Sequence, residues 1–580
     1  MSAFKQKNAI ASAEFKGFEG IDTTAPHGYI PAAYDMDNFR VLEDGSLQRR
    51  SGFEPIAICD TNIRGVWSGK LEDQQVTFVV HSNIVSKLDP ETKTLVRFGA
   101  VVNYQGDVKF LFFNSRLYMI DGSYIFIIKS NTMYDVFGYA PLYGKDWPSA
   151  ARGEVYEPLN LASRFMRMTY RITEPLIYLC VDHVIDFINA VYVNGVQLST
   201  QSGYYFDRDL MCVCVYGLKV GDYVELFLTV AESEILPLYV LSCKSSAVYG
   251  TYDDNRIFLW NNFESNIMYA SRTVDNESLK ESERMYPLIA PLYFPTDNKF
   301  VFKKDGRRIT AVCRHYDRLL IFTNTDTWMT KGTIENGNPL ESVTINPSHG
   351  CTSDGAVIMC GNDPITVSDG NIMRWTSDTD ELNESNAYSI SQKINPMLKS
   401  SFFLNAKILL DENRNEILFY DPTDTEGTVW IYNYNTKNWF RFTGIFADEI
   451  FICGKNIGFT RDNTVFLFDD ELGHDVLKDG TIRPITAFFE SLPIDLSVAG
   501  NKKRLYGMTL NGTLYNGEVT AEYISDGKVL ATEHLSSQSN YPTSFIRRLN
   551  SSRFCYLTLR ISCNGESNSL IHSTSVWVKH

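Results

Sequence analysis

Within residues 34–56, YDMDNFRVLEDGSLQRRSGFEPI, two adjacent arginines, Arg49 and Arg50, stand beside the hairpin signal Asp44-Gly45. Guanidinium forks take carboxylates or phosphates two bonds at a time. The stretch is therefore a candidate phosphate-binding loop, a fragment of a catalytic site, or a structural clip. A second polar group is Asn261, Asn262, Glu264 and Asn266 in NNFESN (261–266). The catalytic signatures are missing: there is no GxSxG elbow, no HExxH and no Walker loop. VSDGNIMRW (367–375) offers Asp369, Gly370 and Trp375 at the wrong spacing for a sialidase Asp-box and reads as a turn. Asp35 to Gly45 is too long for a calcium loop, and Asp378 with Asp380 lacks the glycine. His183, His315 and His349 are far apart in the chain and read as core or solvated residues. No catalytic residue, metal or cofactor is expected.

The charge balance of 54 basic against 69 acidic side chains, net −15, argues against a protein that coats nucleic acid by neutralising phosphates. It is compatible with a surface past which DNA slides. The 11 cysteines show no CxxC pair, and Cys212 and Cys214 alternate along one strand, so buried reduced thiols and folding in a reducing cytoplasm are expected. The opening MSAFKQKNAIASAEF lacks an apolar core of signal-peptide length, and no run approaches a membrane span.

The elements that would position these residues are strands. Aromatic content is 13%, which suits pleated, half-buried surfaces. Short strands and polar turns recur over 75–99, 107–130, 245–272, 308–332, 355–377, 406–444 and 448–471, with Asn114-Ser115 and Asp121-Gly122 as hairpin turns. An all-strand repeat of this size predicts a β-propeller of six to eight blades. Residues 140–237 break the rhythm with a compact strand set that contains the Asn194-Gly195 turn, and they read as an inserted small β-sandwich. The expected division is an N-terminal hairpin or clip region over 1–58 that closes on the propeller, propeller over 59–139 and 238–480, the insert over 140–237, and a C-terminal β-sandwich over 481–580.

Gly17 and Gly20, Asn38, Gly45, Arg49 with Arg50, and Gly52 follow one another in FKGFEGID…AYDMDNFRVLEDGSLQRRSGF. Together with YDDNRIFLWNN…NIMYASR, DRLLIFTNTDTWMTKG, GCTSDGAVIMCGNDPITVSDGNIMRW and GTVWIYNYNTKNWFRF, in that order, they resemble bacteriophage tail structural proteins of the nozzle, or tail tubular protein B, type. One departure is Ser51, where that group commonly has a proline before the glycine. The resemblance implies a virion protein in the tail, made in the host cytoplasm. It would form a homo-oligomeric, hexameric ring around the DNA-ejection channel, beside portal and adaptor proteins and tail fibres. Double-stranded DNA would pass without sequence-specific contact, and no membrane is involved. In such a ring Arg49 and Arg50 are expected at the interface, and reversing both charges should weaken assembly while leaving the monomer folded; Asn261, Asn262, Glu264 and Asn266 are the loop expected to gate the channel. The alternative is a propeller for glycan binding or receptor recognition at the tail tip, with Trp260, Trp328, Trp375, Trp430 and Trp439 stacking on sugars. A cellular peptide-binding scaffold is disfavoured by the lack of a WD or kelch pattern.

Overall fold

The computed structural model describes residues 10–26, 31–89, 91–129, 131–149, 151–174, 178–200, 202–250, 255–286, 288–301, 307–331, 342–376, 384–495, 502–514, 517–537, 541–551, 553–565 and 569–579. The protein is all-β, with 55% strand and 4% helix. Asp378 and Asp380 both lie outside the described residues.

Among the described residues, seven four-stranded antiparallel sheets share one plan, each strand pairing with the next in sequence. Six span 63–100, 109–136, 245–301, 309–346, 357–389 and 407–442. The seventh holds Glu449–Cys453, Asn456–Arg461 and Thr464–Asp469, and takes its fourth strand, Gly52–Ile58, from the start of the chain. Pro55 sits in that borrowed strand. It is tolerated there because the strand is the sheet's edge and the register shifts next to it, so no ladder donor is lost.

The turns follow local chemistry. Asn114 and Ser115 both adopt positive φ (48° and 57°), as do Asn194 and Gly195 (50° and 81°), which is what two-residue hairpins require. Asp121-Gly122 differs from the two-residue turn expected. Only Gly122 is left-handed (φ 93°), and Asp121 instead accepts hydrogen bonds from the Ser123 and Tyr124 amides in a longer loop.

The sheets pack in succession. Val80 and Phe78 of the first meet Leu117 and Met119 of the second, and Ile120 and Ile127 of the second meet Ile257 and Tyr269 of the third. Trp260 of the third meets Leu319 of the fourth, and one large core runs through the fourth to the seventh. Phe451 and Val465 of the seventh pack on Val66 and Val79 of the first.

A second body occupies 142–230. Strands Leu142–Pro148, Phe165–Arg171, Tyr223–Val230, Ile185–Val193 and Val196–Gln197 make one sheet, and Tyr178–Cys180, Cys212–Val215 and Tyr204–Asp207 make another. Met166, Met168, Leu226, Leu179 and Val213 form their shared core. In the third body, Arg504–Thr513, Thr543–Arg548 and Leu570–Lys579 share a sheet with Ile10–Phe15, Phe39–Val41 and Leu47–Arg49. Its facing sheet places Ala33–Asp37 beside Ala487–Ser491. The sheets that hold the last hundred residues thus also hold much of the first fifty.

Candidate functional site

Arg49 and Arg50 are 1% and 2% exposed. This corrects the expectation that they face a neighbouring subunit. In the hairpin Arg49 pairs with Phe39 and Arg50 follows just past the strand's end, and both side chains are buried. Arg50 forks onto Asp475, with Nη1 and Nη2 at 2.7 and 2.8 Å from the two carboxylate oxygens, and its Nε donates to Asn38 Oδ1 at 2.8 Å. Asp475 also accepts from Arg483 Nη2 at 2.8 Å. Asn38, in left-handed backbone (φ 57°), accepts the Thr443 amide and donates to the Thr486 carbonyl. Arg40 makes a second fork onto Glu416, at 2.7 and 3.0 Å. Burial pushes the Glu416 carboxyl up, and Arg40 pulls it partly back. Burial likewise lowers Arg49, with the Cys563 sulfur nearby opposing it. Of the three roles considered for the stretch, these contacts are those of a structural clip. The acidic partners were invisible to sequence reading because they lie 376 and 425 residues away.

Asn261, Asn262, Glu264 and Asn266 occupy the connection between Arg256–Trp260 and Ile267–Ala270. The loop is held down. Asn262 donates to the Tyr239 carbonyl at 2.6 Å, its Oδ1 accepts the Glu264 amide at 2.7 Å, and Tyr269 donates its hydroxyl to Glu264 at 2.5 Å. Only Phe263 projects, 61% exposed, with its ring edge-on to Tyr239.

The tryptophans considered as sugar platforms are mostly inside. Trp260, Trp375 and Trp439 are at most 2% exposed and Trp430 is 5% exposed, while Trp328 is half-buried. Trp375 donates to Thr366 Oγ1 and Trp439 to the Ile390 carbonyl. His315 is wholly buried, and His183 of the second body contacts Glu234, just past that body's last strand. Among the described residues no cluster of His, Cys, Asp or Glu is arranged to hold a metal, and no helix is long and apolar enough to cross a membrane.

One sizeable concavity was not anticipated. A cavity of about 720 Å³ opens where first strands converge, lined by Arg64–Trp67, Lys109, Ser246, Lys407 and Glu449, and closed on one side by Leu238–Lys244. Arg64 braces its rim by donating to the Gly106, Asn103 and Gln105 carbonyls. Asp121 accepts the Val102 and Asn103 amides there. Lys109 is pushed down to about 8, chiefly by burial, with Cys243 and Asp107 opposing. The Cys243 thiol beside it is pushed up to about 12 by the same desolvation. Burial raises Glu449, and Lys407 and the Val66 amide pull it back. A signal for this site existed. VKFLFF, AKILLD and DEIFIC each open a strand unit with a charge, at Lys109, Lys407 and Glu449. Chemically the cavity presents ammonium and carboxylate groups at reduced hydration.

No family model matches the chain, and no curated protein does. Among solved structures it is similar to PorZ, described as an essential bacterial surface component of the type-IX secretion system of Porphyromonas gingivalis. The identity is 9% and the TM-score 0.34, over 85% of this chain and 46% of that one. It is similar to the AfRom2 CNH domain at 5% identity and TM-score 0.34, over 72% of this chain and 99% of that one. The chain spans less than half the length of the PorZ structure it matches, and likeness at this level assigns it to no family.

Proposed function

We propose that the seven four-stranded sheets are the blades of a β-propeller, and that the chain is a structural protein of a phage tail, of the nozzle kind. The blades would be contributed by 59–139 and 238–480, with 1–58 closing the ring of sheets, 140–237 inserted and 481–580 appended. The observation that carries the reading is the distribution of the first 58 residues. They complete the seventh sheet and enter both sheets of the third body, and their arginines are tied to Glu416 and Asp475. Such cross-bracing makes one stiff block, which is what a ring subunit must be if its neighbours are to register on it.

In this reading six copies close a ring around passing double-stranded DNA, next to portal, adaptor and tail-fibre proteins. The net charge of −15 per chain keeps the wall from adhering to phosphate. Interface contacts come from surfaces other than Arg49 and Arg50. Light scattering coupled to size exclusion, with negative-stain imaging, should give rings of one size. A monomer at every concentration, or turnover of a glycoside by the pure protein, would remove the reading. The large cavity favours a second reading, recognition of a glycan or other receptor fragment. A glycan array should be silent if the first is right.

A further inference from the structure

Eleven cysteines are reduced in this structure, and two of them face each other across a pair of neighbouring strands. Cys180 ends the strand Tyr178–Cys180, and Cys212 begins Cys212–Val215. The antiparallel register pairs Cys180 directly with Cys212. The Val181 amide bonds the Met211 carbonyl at 2.9 Å, one step beyond the pair, so Cys180 and Cys212 occupy a non-hydrogen-bonded site. At such sites the two strands lie closest, with Cα atoms roughly 4.5 Å apart, inside the range a disulfide spans. The sulfurs are already 3.5 Å apart, and the Cys212 Sγ also lies 3.2 Å from the Leu210 carbonyl oxygen.

We infer that Cys180 and Cys212 are a covalent modification site: a dithiol that closes to a cross-strand disulfide by exchange with a low-molecular-weight disulfide such as oxidised glutathione. Cys180 is the attacking residue, being half-exposed on the edge strand of its three-stranded sheet, whereas Cys212 is buried. The Cys180 thiolate displaces one glutathione thiolate from the small disulfide and forms a mixed disulfide. Cys212, giving up its proton, then attacks the Cys180 sulfur and expels the second glutathione. The small disulfide accepts the two electrons, and both protons leave on the two glutathione thiols. Desolvation and the neighbouring Cys180 push the Cys212 thiol up to about 12, so the second step is the slow one, and proximity is what drives it. Cys214 lies two residues along the same strand, opposite Tyr178, and is not placed to compete. The link ties two strands whose cysteines are 32 residues apart in sequence, and so restrains the smaller sheet of the 142–230 body.

The test uses the full chain, reduced, freed of reductant and incubated with oxidised glutathione. Free thiols counted after denaturation should fall from 11 to 11 − 2 = 9. The intact mass should drop by two hydrogens with no glutathione retained, and peptide mapping should recover one Cys180–Cys212 link that dithiothreitol reverses. Cys180→Ser should abolish the link and keep all remaining thiols. If that variant fails to fold, the wild-type peptide map decides alone. Stable glutathione on Cys180, a link through Cys214, or an unchanged count beside a peptide dithiol that oxidises fully in the same tube would each overturn the assignment.

Discussion

Replacing Asp475 by alanine puts the clip under the most direct strain. Its side chain is 1% exposed and neutralises two guanidiniums, Arg50 at 2.7 Å and Arg483 at 2.8 Å. Removing one partner of a buried ion pair costs about 3–5 kcal/mol, because the other charge is left without compensation. Here Arg50 is left buried, while Arg483 is a third exposed and screened by water, so the range for one buried charge is expected. The loss falls on the junction that holds Gly52–Ile58 against Thr464–Asp469. Native-state hydrogen exchange on the amides of those two strands reads it locally, and 3–5 kcal/mol corresponds to roughly two to four decades of faster exchange. Arg50→Leu combined with Asp475→Leu should be milder than the two single changes summed, with a coupling of at least about 2 kcal/mol, since the double variant leaves one fewer buried charge without a counter-ion. Exchange within tenfold of wild type for Asp475→Ala, or a coupling near zero, would refute the reasoning. The double reversal Arg49→Glu plus Arg50→Glu places carboxylates against Asp475 and inside the third body, so it strikes the fold and not an assembly surface.

Lys109 should be among the fastest lysines to react with a small amine reagent at pH 8. An amine near 8 is about half deprotonated there, against under about 1% for an ordinary lysine, roughly a hundredfold gain that quantitative mass spectrometry compares with exposed Lys16. No gain over Lys16 would contradict the environment described. The same group sets a pH dependence: the folded state resists charging Lys109, so the penalty is full below about pH 8 and vanishes above about 10.5. Lys109→Met should therefore gain about 1–3 kcal/mol at pH 7 by denaturant titration, and match wild type at pH 10.5. Gly52→Ala drives a methyl into the His474 carbonyl and should cost about 3 kcal/mol or more, while Gly106→Ala, in open space at φ 86°, should cost only about 1–2 kcal/mol; thermal unfolding ranks the two.

Strand periodicity made the sheets legible. In 107–130 the alternation and the Asn114-Ser115 turn correspond to Lys109–Phe113, Arg116–Ile120 and Ile125–Lys129. Local signals of this kind are carried by neighbours in sequence. The fourth strand of the seventh sheet was not legible, because Gly52–Ile58 finds its partner some 400 residues later and nothing in GFEPIAI names it. Arg50 failed as an interface residue for the same reason: its type announced a carboxylate partner, but the pairing with Asp475 is a property of the folded chain. The cavity residues Lys109, Lys407 and Glu449 were visible as charges opening strands, but their convergence depends on how separate sheets meet, which a linear pattern does not encode.

The borrowed edge strand also constrains how the molecule is made. Gly52–Ile58 leaves the ribosome long before Thr464–Asp469, 464 − 58 = 406 residues later. At about 5–20 residues per second that is a delay of roughly 20–80 s. Throughout that interval an apolar segment waits with no mate, and the nascent chain exposes it to every other nascent chain nearby. Pro55 in its middle interrupts the ladder that a stray strand would need, so the residue that weakens this segment as a strand also guards it during synthesis.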